Sequence, residues 1–194
     1  MRRDIRPLNQ ILAATVVVLS MATLWAATEA SAEEGTRTEA EERTRYNGTY
    51  KYGKSLDHGR RIVRKAMEQA IDQLNPLVRG LARRRLASSD PLVHTITITV
   101  AGDRVTVKLV GQKTASFTTK IGATEKVTNP EGKQVDLTHR FTKEGLEQVF
   151  VGPKGSSRTV YSLQPDDRQL VVSTTMKGQQ LDTPISYRLV YVKQ

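Results

Sequence analysis

The chain has 194 residues, with 30 Lys and Arg against 20 Asp and Glu for a formal charge of +10, and it contains no cysteine. The absence of cysteine excludes a disulfide framework, a lipid-modified cysteine and a thiol nucleophile, so stability must come from packing. An apolar share of 38% is enough for one folded core, and the basic balance favours anionic surfaces or polymers as partners.

Residues 1–32 read as a secretory signal peptide. Arg2, Arg3 and Arg6 give a positive start, residues 11–25 are largely apolar, and Ala30-Ser31-Ala32 offers a small-residue cleavage site. A membrane anchor is the competing reading, but the apolar run is shorter than the ~20 residues of a spanning helix. The expected location is therefore secreted or periplasmic, after cleavage near Ala32. Residues 33–45 hold glutamates, arginines and threonines with no large apolar side chain, the pattern of a flexible polar leader; a short helix supported by the Glu39 and Arg43 spacing competes with it. Asn47-Gly48-Thr49 fits a glycosylation sequon and equally marks a turn.

From residue 56 to 74, Val63, Met67, Ala70 and Leu74 recur at helical spacing. Asn75-Pro76 stops that helix and caps a second, with Leu77, Val78 and Leu81 as its apolar side, ended by Ser88-Ser89-Asp90-Pro91. This helical cap, residues 56–87, carries Arg60, Arg61, Arg64, Lys65, Arg79, Arg83, Arg84 and Arg85 against Asp57, Glu68 and Asp72. Those eight cations are either the solvated face of two amphipathic helices or a contact surface for an anionic membrane. Nucleic acid is disfavoured as a partner, because no aromatic residue is interleaved for stacking.

Strand alternation begins at residues 93–100, where His94, Ile96, Ile98 and Val100 share one face and threonines the other. Ala101-Gly102-Asp103 turns the chain into residues 104–110, and further strands are expected at 114–121, 123–128, 134–141, 146–151, 158–163, 169–176 and 185–193. With a first strand around Tyr50 the expectation is a mainly β domain over residues 46–194: a single antiparallel up-and-down barrel of about nine or ten strands, with the helix-turn-helix cap inserted after the first strand. The threonine content requires one face of the sheet to see water. Phe117, Leu137, Phe141, Phe150, Met176, Tyr187, Leu189 and Tyr191 are the large side chains available to line a ligand site inside, or to fill an ordinary core.

Tyr46-Asn47-Gly48-Thr49-Tyr50-Lys51 resembles the Phe-x-Gly-Thr-Trp-Lys opening of the fatty-acid-binding proteins, with tyrosine in place of tryptophan. Ser116-Phe117, Lys120-Ile121-Gly122, residues 129–133 and Met176-Lys177-Gly178 are similar to that family's segments in the same order, and Leu189-Val190-Tyr191 stands where the family ends in Arg-x-Tyr. Residues 46–193 thus resemble the calycin superfamily, which implies a barrel carrier for an apolar ligand. Of the family's carboxylate clamp only Tyr191 carries over: Leu189 replaces its arginine and Ser162 its other basic residue. The resemblance therefore implies a neutral ligand, an inward-facing Arg140 or Arg188, or no ligand. Arg188 alternates away from Tyr187 and Tyr191, and is expected on the other face near Tyr50.

His58, His94 and His139 have no metal-ligand spacing, and there is neither a nucleophile elbow nor a phosphate-binding glycine loop. No catalytic residue, metal or cofactor is expected. The sequence is read as an exported, non-enzymatic binding protein for a lipid-like or other apolar small molecule, with the basic cap gating access and touching anionic membranes. The alternative is a ligand-free envelope interaction or adhesion module with a packed interior. Oligomeric state is left open.

Overall fold

A computed structural model describes residues 38–129, 132–179 and 181–194, with the side chain of Arg85 left out. The signal segment, its cleavage site and the beginning of the polar leader lie outside these residues. The elements run α1 (Glu39–Thr44), β1 (Gly48–Tyr52), α2 (Leu56–Ile71), α3 (Pro76–Ala87), β2 (Thr95–Ala101), β3 (Arg104–Val110), β4 (Thr114–Lys120), β5 (Thr124–Thr128), β6 (Gln134–Thr142), β7 (Gly145–Gly152), β8 (Gly155–Leu163), β9 (Gln169–Gly178) and β10 (Ile185–Lys193).

The ten strands form one antiparallel sheet in the order β4-β3-β2-β1-β10-β9-β8-β7-β6-β5. All neighbouring pairs but two are hairpins; both exceptions involve β1, which pairs with β2 across the intervening helices and with β10 on its other side. The edges meet across a seam, where Ile121 bridges to His139 and the Gly122 amide donates to the His139 carbonyl at 2.7 Å. The barrel is nearly closed. Gly102 supplies the left-handed conformation, φ 57°, that the tight β2–β3 turn needs.

Alternation decides what faces inward. Ile96, Ile98, Val100, Val105 and Val107 are buried with Tyr50, Leu146, Tyr161, Leu170 and Tyr191 in one core. The other face carries threonine pairs bridging adjacent strands, Thr106 to Thr118 at 2.8 Å and Thr124 to Thr138 at 2.7 Å. This is how strands that are only half apolar build a barrel. Glu147 also points to the outer face, yet is covered there by Arg140 and Arg158, whose guanidinium groups donate to it at 2.8 and 2.7 Å and hold its carboxyl below the usual range.

Three expectations need correction. The leader is not wholly flexible: Thr38 and Glu41 form a reciprocal capping box, Glu39 pairs with Arg43, and the result is α1. Arg45 then ties α1 to the β8–β9 turn through three bonds to Asp167, at 2.6, 3.0 and 3.2 Å. Arg140 faces outward to Glu147, so it supplies no internal cation. Lys193, rather than Arg188, lies over the Tyr50 ring, 5.7 Å from its centroid, because β1 pairs Tyr50 directly with Lys193.

In the cap, α2 ends at Ile71, three residues before the apolar pattern does, and Arg79 donates to the Asp72 and Leu74 carbonyls just beyond its end. The buried side of α2 holds Gly59, Val63, Ala70 and Ile71. Helix α3 has the expected apolar side but leaves it uncovered: Leu77 is 91% exposed and Leu81 55%.

Candidate functional site

A cavity of about 190 Å3 lies inside the barrel, lined from six strands. Ile96 on β2, Leu109 on β3, Phe150 on β7, Val172 and Met176 on β9 and Leu189 on β10 form its apolar wall. Gln148, Ser157, Thr159, Tyr161, Thr174, Tyr187 and Tyr191 add polar atoms. No charged side chain is among the lining residues.

Most of those polar atoms are already engaged, in a chain running through the barrel wall. Tyr161 donates its hydroxyl to Gln148 Oε1 at 2.8 Å, and Gln148 Nε2 donates to His139 Nε2 at 2.9 Å. His139 therefore carries its proton on Nδ1, which reaches Thr119 Oγ1 at 2.9 Å. Burial holds the His139 imidazole down at about 4, so it is neutral at pH 7. Burial likewise pushes the Tyr161, Tyr187 and Tyr191 phenols up. The interior is polar in places but uncharged. Thr159 and Thr174 hydroxyls lie 3.2 Å apart, and Tyr191 donates to the Val93 carbonyl at 2.8 Å. A ligand here meets hydroxyl and amide groups, the usual orienting contacts of a small-molecule site. A buried carboxylate would find no cation, which is costly.

Of the eight residues proposed as ligand contacts, Phe150, Met176, Tyr187, Leu189 and Tyr191 line this cavity. Phe117 and Leu137 are buried outside its lining, Phe117 packing edge-to-face on Phe150 with centroids 5.0 Å apart. Phe141 sits at the opposite end of the barrel from the cap, against Tyr46 at 5.4 Å and beneath the Arg43 guanidinium. Sequence reasoning missed Gln148, Thr159 and Thr174 because it looked for bulk; polar residues at inward parity on β7–β9 were the available signal.

The basic cap divides in two. Arg60 bonds Asp57 and Asp90, Arg64 the Ser89 carbonyl, Arg79 the end of α2, and Arg83 bonds Asp72, so these four stitch the cap together. The Arg60 guanidinium holds the Asp90 carboxyl down at about 2. Arg61, Lys65 and Arg84 are exposed and have no ion-pair partner among the described residues. Each histidine has its own separate surroundings: His58 Nδ1 lies 2.9 Å from the Tyr52 hydroxyl, His94 Nε2 lies 3.3 Å from Asp90, and His139 is in the interior chain. Among the described residues no group of three or more His, Cys, Asp or Glu is placed to hold a metal, and no helix is long and apolar enough to cross a membrane.

Ten antiparallel strands in sequence order around the ring, with a helix pair between the first and second, are now in place. The fold is a mainly β, nearly closed antiparallel barrel with a helix-turn-helix after its first strand. No family model matches the sequence, and no curated protein does. Among solved structures, the chain is similar to lipid binding protein 8 of Caenorhabditis elegans at 16% identity, with 77% of this chain and 96% of that one covered and a TM-score of 0.49. The Schistosoma mansoni fatty acid binding protein in complex with arachidonic acid gives 18%, 79% and 98%, and 0.48. The Echinococcus granulosus fatty-acid-binding protein 1 gives 16%, 77% and 97%, and 0.49. What this barrel can hold follows from its own lining.

Proposed function

We propose that this is an exported binding protein that holds a neutral, lipid-like or other apolar small molecule inside its barrel and has no enzymatic activity. The observation that carries this reading is the cavity inside the barrel, whose lining from six strands is mostly apolar with hydroxyl and amide groups and, among the described residues, no charge. A ligand-free module with a centre filled by Phe117, Phe141, Phe150 and Met176 fits less well, since Phe150 and Met176 border open space and Phe141 lies at the far end.

The cap supports a second part of the proposal, gating of access and docking on anionic membranes. The cap exposes both cations, Arg61, Lys65 and Arg84, and apolar side chains, Leu77 and Leu81, a combination that suits the surface of an anionic bilayer. Export rests on the signal-like residues 1–32.

The test is thermal denaturation of the protein purified from the secreted or periplasmic fraction, with and without neutral lipophilic compounds, together with native mass spectrometry for co-purified molecules. A rise in Tm with neutral compounds is expected. Absence of both a Tm shift and a bound species sinks the carrier reading, and binding to vesicles that ignores lipid charge sinks the membrane part.

A further inference from the structure

We infer that the ligand site continues outside the barrel, in an apolar groove between the cap and the β9–β10 hairpin, and that the two compartments together hold one long-chain neutral lipid, its head in the cavity and its tail in the groove. This rests on the binding reading above and names its ligand class.

The groove encloses about 640 Å3 between Ala70 and Ile71 of α2, Val78 and Leu81 of α3, and Leu181 and Ile185 of the hairpin. Among the described residues no charged side chain lines it. Met176 borders both this groove and the internal cavity, facing inward on β9 and paired across the ladder with Ile185. The two spaces thus share one unbranched, flexible side chain, the kind that repacks most easily.

Size and polarity fix how a ligand would lie. A cavity of about 150 Å3 takes a benzene-sized molecule, so the internal 190 Å3 holds roughly eight heavy atoms. Any single-chain lipid of ordinary length overruns it. The overflow has an apolar bed beyond Met176, where Val78 is 41% and Leu81 55% exposed, a surface that an alkyl chain would cover. Gln148, Thr159, Thr174 and Tyr187 put polar groups in the internal cavity, whereas Ser89 is the only polar residue lining the groove among the described residues. A head group is therefore placed inside and a tail outside. Because the inner end is uncharged, the matching head is a hydroxyl, ester or amide and not a carboxylate.

The test is competition by 1-alkanols from hexanol to tetradecanol against a neutral fluorescent probe, N-phenyl-1-naphthylamine, on delipidated wild-type protein and on the double variant Val78→Ser, Leu81→Ser. Both replaced side chains are exposed, so the fold is retained. In the wild type, affinity should climb about two- to fourfold per methylene past eight carbons. In the variant, hexanol and octanol should bind as before while the climb beyond them flattens. As a second readout, tetradecanol with a terminal diazirine should label peptides from residues 70–86 or 181–185. Affinity that stops rising near eight carbons, an unchanged climb in the variant, or labelling confined to barrel strands overturns the groove and leaves the cavity reading intact. If no alkanol competes at all, the cavity reading itself falls.

Discussion

His139 on β6 and Thr119 on β4 meet across the seam between the sheet's two edges, Nδ1 to Oγ1 at 2.9 Å, both fully buried. The Gln148 contact at the ring's other nitrogen requires a neutral imidazole. A second proton would sit on Nε2 and confront the Gln148 amide N–H that now donates to it.

Acid should weaken the fold through this residue. The folded value of His139, about 4, lies below its ordinary 6.5, so between those pH values the unfolded chain binds a proton that the folded chain refuses. Stability contributed by His139 is full above about pH 6.5, falls as pH drops towards 4, and changes no further below it, a total on the order of 3 kcal/mol. Urea denaturation from pH 7.5 to 4 should show this slope in the wild type and a shallower one in His139→Gln. Equal slopes would remove His139 as the cause.

Gly59→Ala should loosen the cap. A Cβ there would lie 2.8 Å from Tyr52 Cε1 and 2.9 Å from Leu92 Cδ1, beneath α2. The helix gains ~1 kcal/mol of propensity from alanine, but overpacking costs about 1–3 kcal/mol. A net loss of up to about 2 kcal/mol, seen as a Tm lower by up to about 4–8 °C, is the expected result. An unchanged or higher Tm would mean that α2 shifts freely on the barrel.

Leu189→Arg places a guanidinium in the cavity wall, two residues before Tyr191. An unpaired internal cation should destabilise the protein by on the order of 3 kcal/mol. Adding an alkanoate should restore much of that loss, and preference should switch from alcohols to carboxylates, read as Tm shifts with matched chain lengths. If the variant shows the same ranking as the wild type, ligands do not reach Leu189.

Asp167→Ala should free α1. Three bonds from Arg45 converge on this carboxylate, and residue 167 holds a left-handed backbone, φ 57°, which alanine tolerates poorly. Hydrogen exchange at residues 39–46 should accelerate at least tenfold while β1 and β10 stay protected. Protection kept at α1 would show that the capping box and the Arg43–Phe141 contact suffice without Arg45.

Much of the fold was legible because its signals are local. Alternation in β2 and β3, glycine turns and the Asn75-Pro76 break each act within a few residues, and the strands fall within about three residues of their expected ends. Helix α1 was harder, since its anchor is Asp167, far along the chain. Lys193 over Tyr50 depends on which strand neighbours β1, a fact of pairing and not of sequence spacing. The site was half legible for the same reason. Alternation identified inward residues such as Leu189 and Tyr191, but whether Phe117 or Phe150 borders open space depends on how side chains from different strands interlock.

The place of β1 between β2 and β10 has a consequence for synthesis. Tyr50 and Lys193 are direct partners although almost the whole domain separates them, so the ring stays open until β10 has been made and has reached β1. No occupant can be enclosed before that last pairing forms.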